Sequence, residues 1–241
     1  MLAKRIVQRG GSLVLLNRPS AHADAAREEL AKLATSGASV TLIHCDLCDF
    51  ASVREAATQL RAHVEGSASS SGLDALVLNA GLMAIKDVRT SDGYDTQMQA
   101  NHLSHFLLTS LVFDLLEIAG EARVVSHSSG ARKAPEPAAL RADSFEKQWA
   151  DDSLSEGDVE TMAKWHRYQQ SKRANLAFTY ALADFIAARD GCSVKALCAH
   201  PGATNSGLQS RTQADSYKDR FINALAVVAG QSTEDGKCLM G

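Results

Sequence analysis

Short apolar runs alternate along this chain with amphipathic stretches long enough to be helices, and that rhythm leaves few folds open. The strand-like runs are "SLVLLN" (12–17), "SVTLIHCDL" (39–47), "LDALVLNAG" (73–81), "EARVVSHSS" (121–129) and "SVKALCAHPG" (193–202). Helical spacing fills the intervals at 21–37, 50–64, 93–117 and from 166 to 189. Strands separated by helices cannot be joined by hairpins, so the pattern predicts an α/β fold, a parallel sheet covered by helices. No internal repeat or composition break divides residues 1–241, which read as one domain. At 45% hydrophobic residues the chain can fill a large core. Residues 130–165 lack a steady period, carry many acids and read as an insertion over the active site.

In open parallel sheets, ligands bind beyond the carboxyl ends of the strands. Those ends hold Asn17 and Arg18, Asp46 and Leu47, Asn79 to Gly81 with Ala80 between, Ser128 and Ser129, and His200 to Gly202 with Pro201 between. All are polar or glycine-bearing. Tyr168 and Lys172 are expected to begin the helix after the fourth strand, four residues apart on one face. A phenol starts with a pKa of about 10, and a nearby ammonium favours its ionised form. That makes Tyr168 a candidate acid or base near neutral pH. The same spacing arises by chance on many amphipathic helices, so the pair alone does not define a site.

Composition narrows the function. Twenty-five basic against 28 acidic side chains give a net charge of -3 with no basic, aromatic-studded run, which argues against a nucleic-acid partner. Five cysteines make no secreted disulfide framework, and the pattern suits a reducing compartment. Cys45 and Cys48 form a CxxC without a second half, which argues against a metal or redox role. His102 and His105, three apart without a third ligand, read as partly buried helix residues. The opening basic and apolar residues lack a cleavage site, and no segment approaches the ~20 apolar residues of a membrane span. The expectation is a soluble, cytoplasmic chain. A serine-hydrolase elbow requires glycine two residues either side of the serine, and neither Ser128 nor Ser129 has both.

Five segments together carry a family resemblance: "NAG" at Asn79, "DGYDTQMQANHLSHFLLTSLV" at Asp92, "RVVSHSSGA" at Arg123, "YQQSKRAN" at Tyr168 and "HPGATNSGL" at His200. In this order the chain resembles the short-chain dehydrogenase/reductase family, in the branch of retinol dehydrogenases and WW-domain oxidoreductases. The resemblance spans nearly the whole chain. It implies a Rossmann-like, doubly wound parallel sheet with helices on both faces, and an oxidoreductase interconverting an alcohol and a carbonyl compound. Tyr168 is then the general acid or base, Ser129 a hydrogen-bond donor to the reacting oxygen, and Lys172 the residue that binds the nicotinamide ribose and lowers the tyrosine's pKa. Asn101 is then the residue that holds a helix backbone and a relay water. The cofactor positions implied are Asn17, Arg18, Asp46, Leu47, Asn79, Ala80, Gly81, Tyr168, Lys172, Pro201, Gly202 and Ser206. Arg18, where an acid would select NAD, favours NADP over NAD. The branch implies a lipophilic small-molecule substrate, and the family a homodimer. Trp149 and Trp165 lie in the interval that would shape a lid.

The family's first strand and its glycine-rich TGxxxGxG turn have no counterpart in this sequence. "LAKRIVQRGG" resembles the helix after that turn, and "STEDGKCLMG" a family helix cut short. The expectation is therefore a chain truncated at both ends, with an unfilled slot between the strands at 12–17 and 73–81. The alternative to a working enzyme is a fragment or degenerate nucleotide-binding fold that acts, if at all, through binding.

Overall fold

A computed structural model describes residues 2–67, 71–85, 88–133, 140–145 and 158–200. The chain opens with α1 (Leu2–Gln8), β1 (Leu13–Asn17), α2 (Ala21–Leu33), β2 (Val40–His44), α3 (Phe50–Glu65) and β3 (Ala75–Leu78). A short α4 (Thr96–Met98) passes through a π turn at Gln99–Leu103 into α5 (Ser104–Ala119), followed by β4 (Arg123–His127). Two 3-10 turns, at Gly130–Lys133 and Ala142–Phe145, precede α6 (Asp158–Ala187) and β5 (Lys195–Ala199).

Local chemistry fixes where these helices begin. Ser20 accepts from the Ala23 amide at 3.1 Å, Asp49 from Ala51 at 2.8 Å and Asp95 from Met98 at 2.7 Å. Each oxygen satisfies an amide that has no partner within its own helix. Before β3 the chain turns at Gly72, with φ +80°. A Cβ there would meet the Leu115 carbonyl oxygen at 2.5 Å, so only glycine fits.

The described strands are all parallel, as their helical crossovers require, and fall into two sheets. β1 pairs with β2 from Leu13 opposite Val40 to Asn17 opposite His44. β3, β4 and β5 make the second sheet, with Arg123 between Ala75 and Lys195. Among the described residues no strand joins β1 to β3. What links the two sheets is side-chain packing. Val53, Ala56 and Leu60 of α3 and Leu108, Val112 and Leu116 of α5 share one core with Ile43 of the first sheet and Leu76, Leu78 and Val124 of the second. Burying each of the larger side chains contributes roughly 1.5–3 kcal/mol.

Three expectations need correction. α6 begins at Asp158, so Tyr168 lies well inside the helix, and the supposed insertion at 130–165 already contains its first turns. The remainder of that interval at 134–139 and 146–157, with Trp149, lies outside the described residues. The stretch Thr96–Ala119 is long and apolar enough to cross a membrane by length and composition. Yet Gln97, Gln99, Asn101, His102 and His105 along it are buried against the rest of the protein, as befits a core helix.

Candidate active site

The site forms where the ends of β3 and β4 meet α6. Tyr168, Ser171, Lys172 and Asn175 recur at helical spacing, so one face of α6 carries all four. Tyr168 is 5% exposed, Lys172 2%, and Ser171 and Asn101 are fully enclosed. The Ser128 hydroxyl donates to the Lys172 carbonyl at 2.8 Å. The Lys172 ammonium and the Asn175 amide both donate to the His127 carbonyl, at 3.1 and 3.0 Å. These bonds dock α6 on the end of β4 and bring the Tyr168 phenol to Ser129, whose hydroxyl favours its ionised form.

On the β3 side, Asn101 is the central residue. Its side-chain oxygen accepts from the Leu82 amide at 2.6 Å, and its NH2 donates to the Leu82 carbonyl at 2.8 Å and the Ser171 hydroxyl at 2.9 Å. The π turn centred on Asn101 gives the helix one extra residue there, a distortion common at functional sites. Gly81 matters through its lack of a side chain. A Cβ on it would lie 3.2 Å from Asn101 Oδ1 and 3.4 Å from Lys172 Nζ.

The electrostatics differ from the expectation that Lys172 keeps the tyrosine's pKa low. Burial pushes the Tyr168 phenol up, and the opposing influence is the Ser129 hydrogen bond, which favours the ionised form. Lys172 itself is pushed down by burial to about 8. His127 is likewise lowered to about 4 by burial, then by Lys172 and His200. His102 and His105 are ordinary buried imidazoles. His102 Nδ1 lies 3.2 Å from Asn175 Oδ1, and His105 Nδ1 lies 3.0 Å from the Asn101 carbonyl oxygen. The thiols of Cys45 and Cys48 are raised to about 11, chiefly by burial, which opposes the thiolate form that metal or redox chemistry uses.

The remaining predicted positions divide between the sheets. Asn79 and Ala80 follow β3 and are exposed. Asn17 and Arg18, also exposed, sit at the end of β1 on the other sheet. There Asp46 Oδ1 accepts from the Cys48 amide at 2.9 Å, and the Leu47 carbonyl accepts from Ser104 at 2.6 Å. That last bond ties the end of β2 to the start of α5. Pro201, Gly202 and Ser206 lie outside the described residues. Sequence reasoning put Ser128 at a strand end without giving it a role of its own, and overlooked Ser171 and Asn175. For Ser171 and Asn175 a signal was available, since they lie three and seven residues beyond Tyr168 on its own helix face.

Residues 1–140 match the family model for short chain dehydrogenase. The chain belongs to that family. It is 31% identical to human Retinol dehydrogenase 12 over 210 residues, which cover 86% of this chain and 58% of that one. It is 30% identical to human Polyprenol dehydrogenase over 174 residues, covering 69% of this chain and 46% of the relative. The chain thus spans about half the length of these curated relatives. A short chain dehydrogenase from Burkholderia cenocepacia, solved in complex with NADP, superposes with a TM-score of 0.66 at 22% identity, covering 99% of this chain and 82% of that one. A Sphingobium yanoikuyae short-chain dehydrogenase in complex with NADPH gives 0.62 at 18% identity, covering 96% and 80%. These neighbours share the α/β fold of the family. The curated relatives also overturn the cytoplasmic expectation. Retinol and polyprenol, for which they are named, are alcohols that reside in lipid, and a plain cytoplasmic assignment for this short-chain dehydrogenase does not stand.

Proposed function

We propose that this short-chain dehydrogenase is an NADP-dependent oxidoreductase that interconverts a lipophilic alcohol and its carbonyl compound, with Tyr168 as general acid and base. The observation that carries the reading is the cluster of half-buried Ser129 with buried Tyr168 and Lys172, the serine hydroxyl favouring the ionised phenol and the ammonium lying over its ring. A bound nicotinamide cofactor would supply the hydride. During reduction, negative charge grows on the substrate oxygen. Ser129 and Tyr168 donate hydrogen bonds to it, Tyr168 passes on its proton, and Lys172 offsets the charge left on the phenolate. Oxidation runs the same proton back.

The residues suit such a cofactor. Gly81 leaves open the space beside Lys172 and Asn101 that a side chain would fill. Asn17, Arg18, Asp46, Leu47, Asn79, Ala80 and Gly81 lie at strand ends and would line the adenosine side, with Pro201, Gly202 and Ser206 near the nicotinamide. Arg18 in place of an acid supports NADP, and the two solved neighbours above carry NADP or NADPH. A lipophilic substrate follows from the names of the curated relatives. A homodimer would pair through α5 and α6, where Phe106 and Tyr180 are more than half exposed.

The divided sheet favours a second reading, a non-catalytic protein that acts through binding. Fluorescence titration of NADPH against the chain and a Lys172→Ala variant separates the two. Binding that weakens in the variant, followed by reduction of long-chain aldehydes or ketones, supports the enzyme. Absence of binding by either nicotinamide nucleotide would sink it.

A further inference from the structure

We infer that Ser171 is a positioning residue for this site, coupling Asn101 to the backbone of Tyr168; the inference rests on the proposed role of Tyr168 as proton donor. Its hydroxyl is completely enclosed. It donates to the Tyr168 carbonyl at 2.7 Å and accepts from Asn101 Nδ2 at 2.9 Å. A serine inside a helix often bonds the carbonyl one turn back, and that bond alone would mean little. The second bond sets Ser171 apart. It arrives from a side chain 70 residues earlier, on a different helix.

No hydrogen bond between the Asn101 side chain and Tyr168 or Lys172 is found among the described residues. Both of its amide hydrogens are committed, one to Leu82 and one to Ser171, and its oxygen already accepts from Leu82. The hydrogen-bonded path from the Asn101 side chain to Tyr168 runs through the Ser171 hydroxyl. The turn that carries Tyr168 and Lys172 is gripped on two sides. Ser128 holds the Lys172 carbonyl from the end of β4, and Asn101 holds Ser171 from the π turn ahead of α5. Ser129, which meets the phenol, rides on the first grip, while Gly81, which faces the ammonium, adjoins the second. Removing the Ser171 hydroxyl frees one side of the turn and strands a buried Asn101 hydrogen. Proton transfer tolerates little of the resulting drift in the phenol, because displacements near 1 Å in a reacting group can cost about a hundredfold in rate.

The test is a double-mutant cycle of Asn101→Ala and Ser171→Ala, with Ser171→Thr as the hydroxyl-retaining control. It has two readouts: kcat and KM for NADPH-dependent carbonyl reduction, and ionisation of Tyr168 followed by ultraviolet difference titration against Tyr168→Phe. Ser171→Ala is expected to lower kcat about ten- to a hundredfold at unchanged KM and to move the Tyr168 ionisation. Ser171→Thr should restore part of both, and the double variant should be no worse than Asn101→Ala alone. Should Ser171→Thr fail to fold, the cycle still decides. A Ser171→Ala protein with wild-type kcat and phenol titration, or additive losses in the cycle, would overturn the inference, even if its melting temperature falls. Wild-type protein that reduces no carbonyl would instead sink the proposed function. The phenol titration, needing no turnover, tests Ser171 in that case too.

Discussion

The Lys172 ammonium lies 5.8 Å from the centre of the Tyr168 ring, and the carbonyl it bonds, that of His127, ends the strand that Ser128 and Ser129 follow. Charge is held there at a cost, since burial lowers the lysine from 10.5 to about 8. Lys172→Met should therefore separate function from fold. Carbonyl reduction is expected to drop by about a hundredfold or more. Stability at pH 7 should hold or rise, because a burial penalty of up to about 3 kcal/mol disappears. In the native chain that penalty is complete below pH 8 and fades as pH rises from about 8 to 10.5, so stability climbs through that window in wild type and not in the variant. Urea unfolding across pH checks both halves.

Ser129 is the group that pulls the Tyr168 phenol down against burial. Ser129→Ala should push that phenol higher and move the alkaline-rising limb of alcohol oxidation to higher pH, where the phenolate acts as base. A loss in kcat of about ten- to a hundredfold accompanies it. A pH profile identical to wild type would contradict the contact.

Gly81→Ala would set a methyl 3.2 Å from Asn101 Oδ1 and 3.4 Å from Lys172 Nζ. The ammonium, at the end of a flexible stem, is expected to yield first. NADPH affinity should fall about tenfold, or about 1.4 kcal/mol, with a much smaller change in melting temperature. Titration of the variant beside wild type reads this directly.

Acid should unfold this protein early. His102, His105 and His127 are held neutral, at about 4, 3 and 4, against 6.5 in the unfolded chain. The unfolded state thus binds protons first as pH falls below 6.5, and stability is lost progressively toward pH 4. Each histidine adds a slope of up to about 1.4 kcal/mol per pH unit. His102→Leu should flatten the curve, which denaturant unfolding at stepped pH would show.

Much of this architecture could be read from the residues. "SLVLLN" and "VTLIH" are strands because β-branched and leucine residues run to a polar stop, and both parallel strands appear where the pattern put them. Ser129, Tyr168 and Lys172 come together, while the Asn101 side chain reaches Tyr168 through Ser171. The start of α6 was misjudged because "DVETMAKW" has no clear apolar period; its buried Lys164 and Ala163 answer to tertiary neighbours. The tyrosine's acidity was misjudged because spacing on a helix gives proximity and says nothing of desolvation, which here is the larger effect. The π turn was likewise invisible, since its sequence "QANHL" has good helical spacing either way.

That turn has a further consequence, for how this family member can change. A π turn is an α-helix with one residue too many, and deleting any one of Gln99–Leu103 would let the helix close into regular α form. Because the extra residue is taken up within the turn itself, the closed helix would keep Leu108, Val112 and Leu116 on the core side, and what would be lost is the place of Asn101 between Leu82 and Ser171. The extra residue therefore serves the site and not the core: without it α5 could pack as before, while the loop at Leu82 and the turn at Ser171 would lose the side chain that joins them.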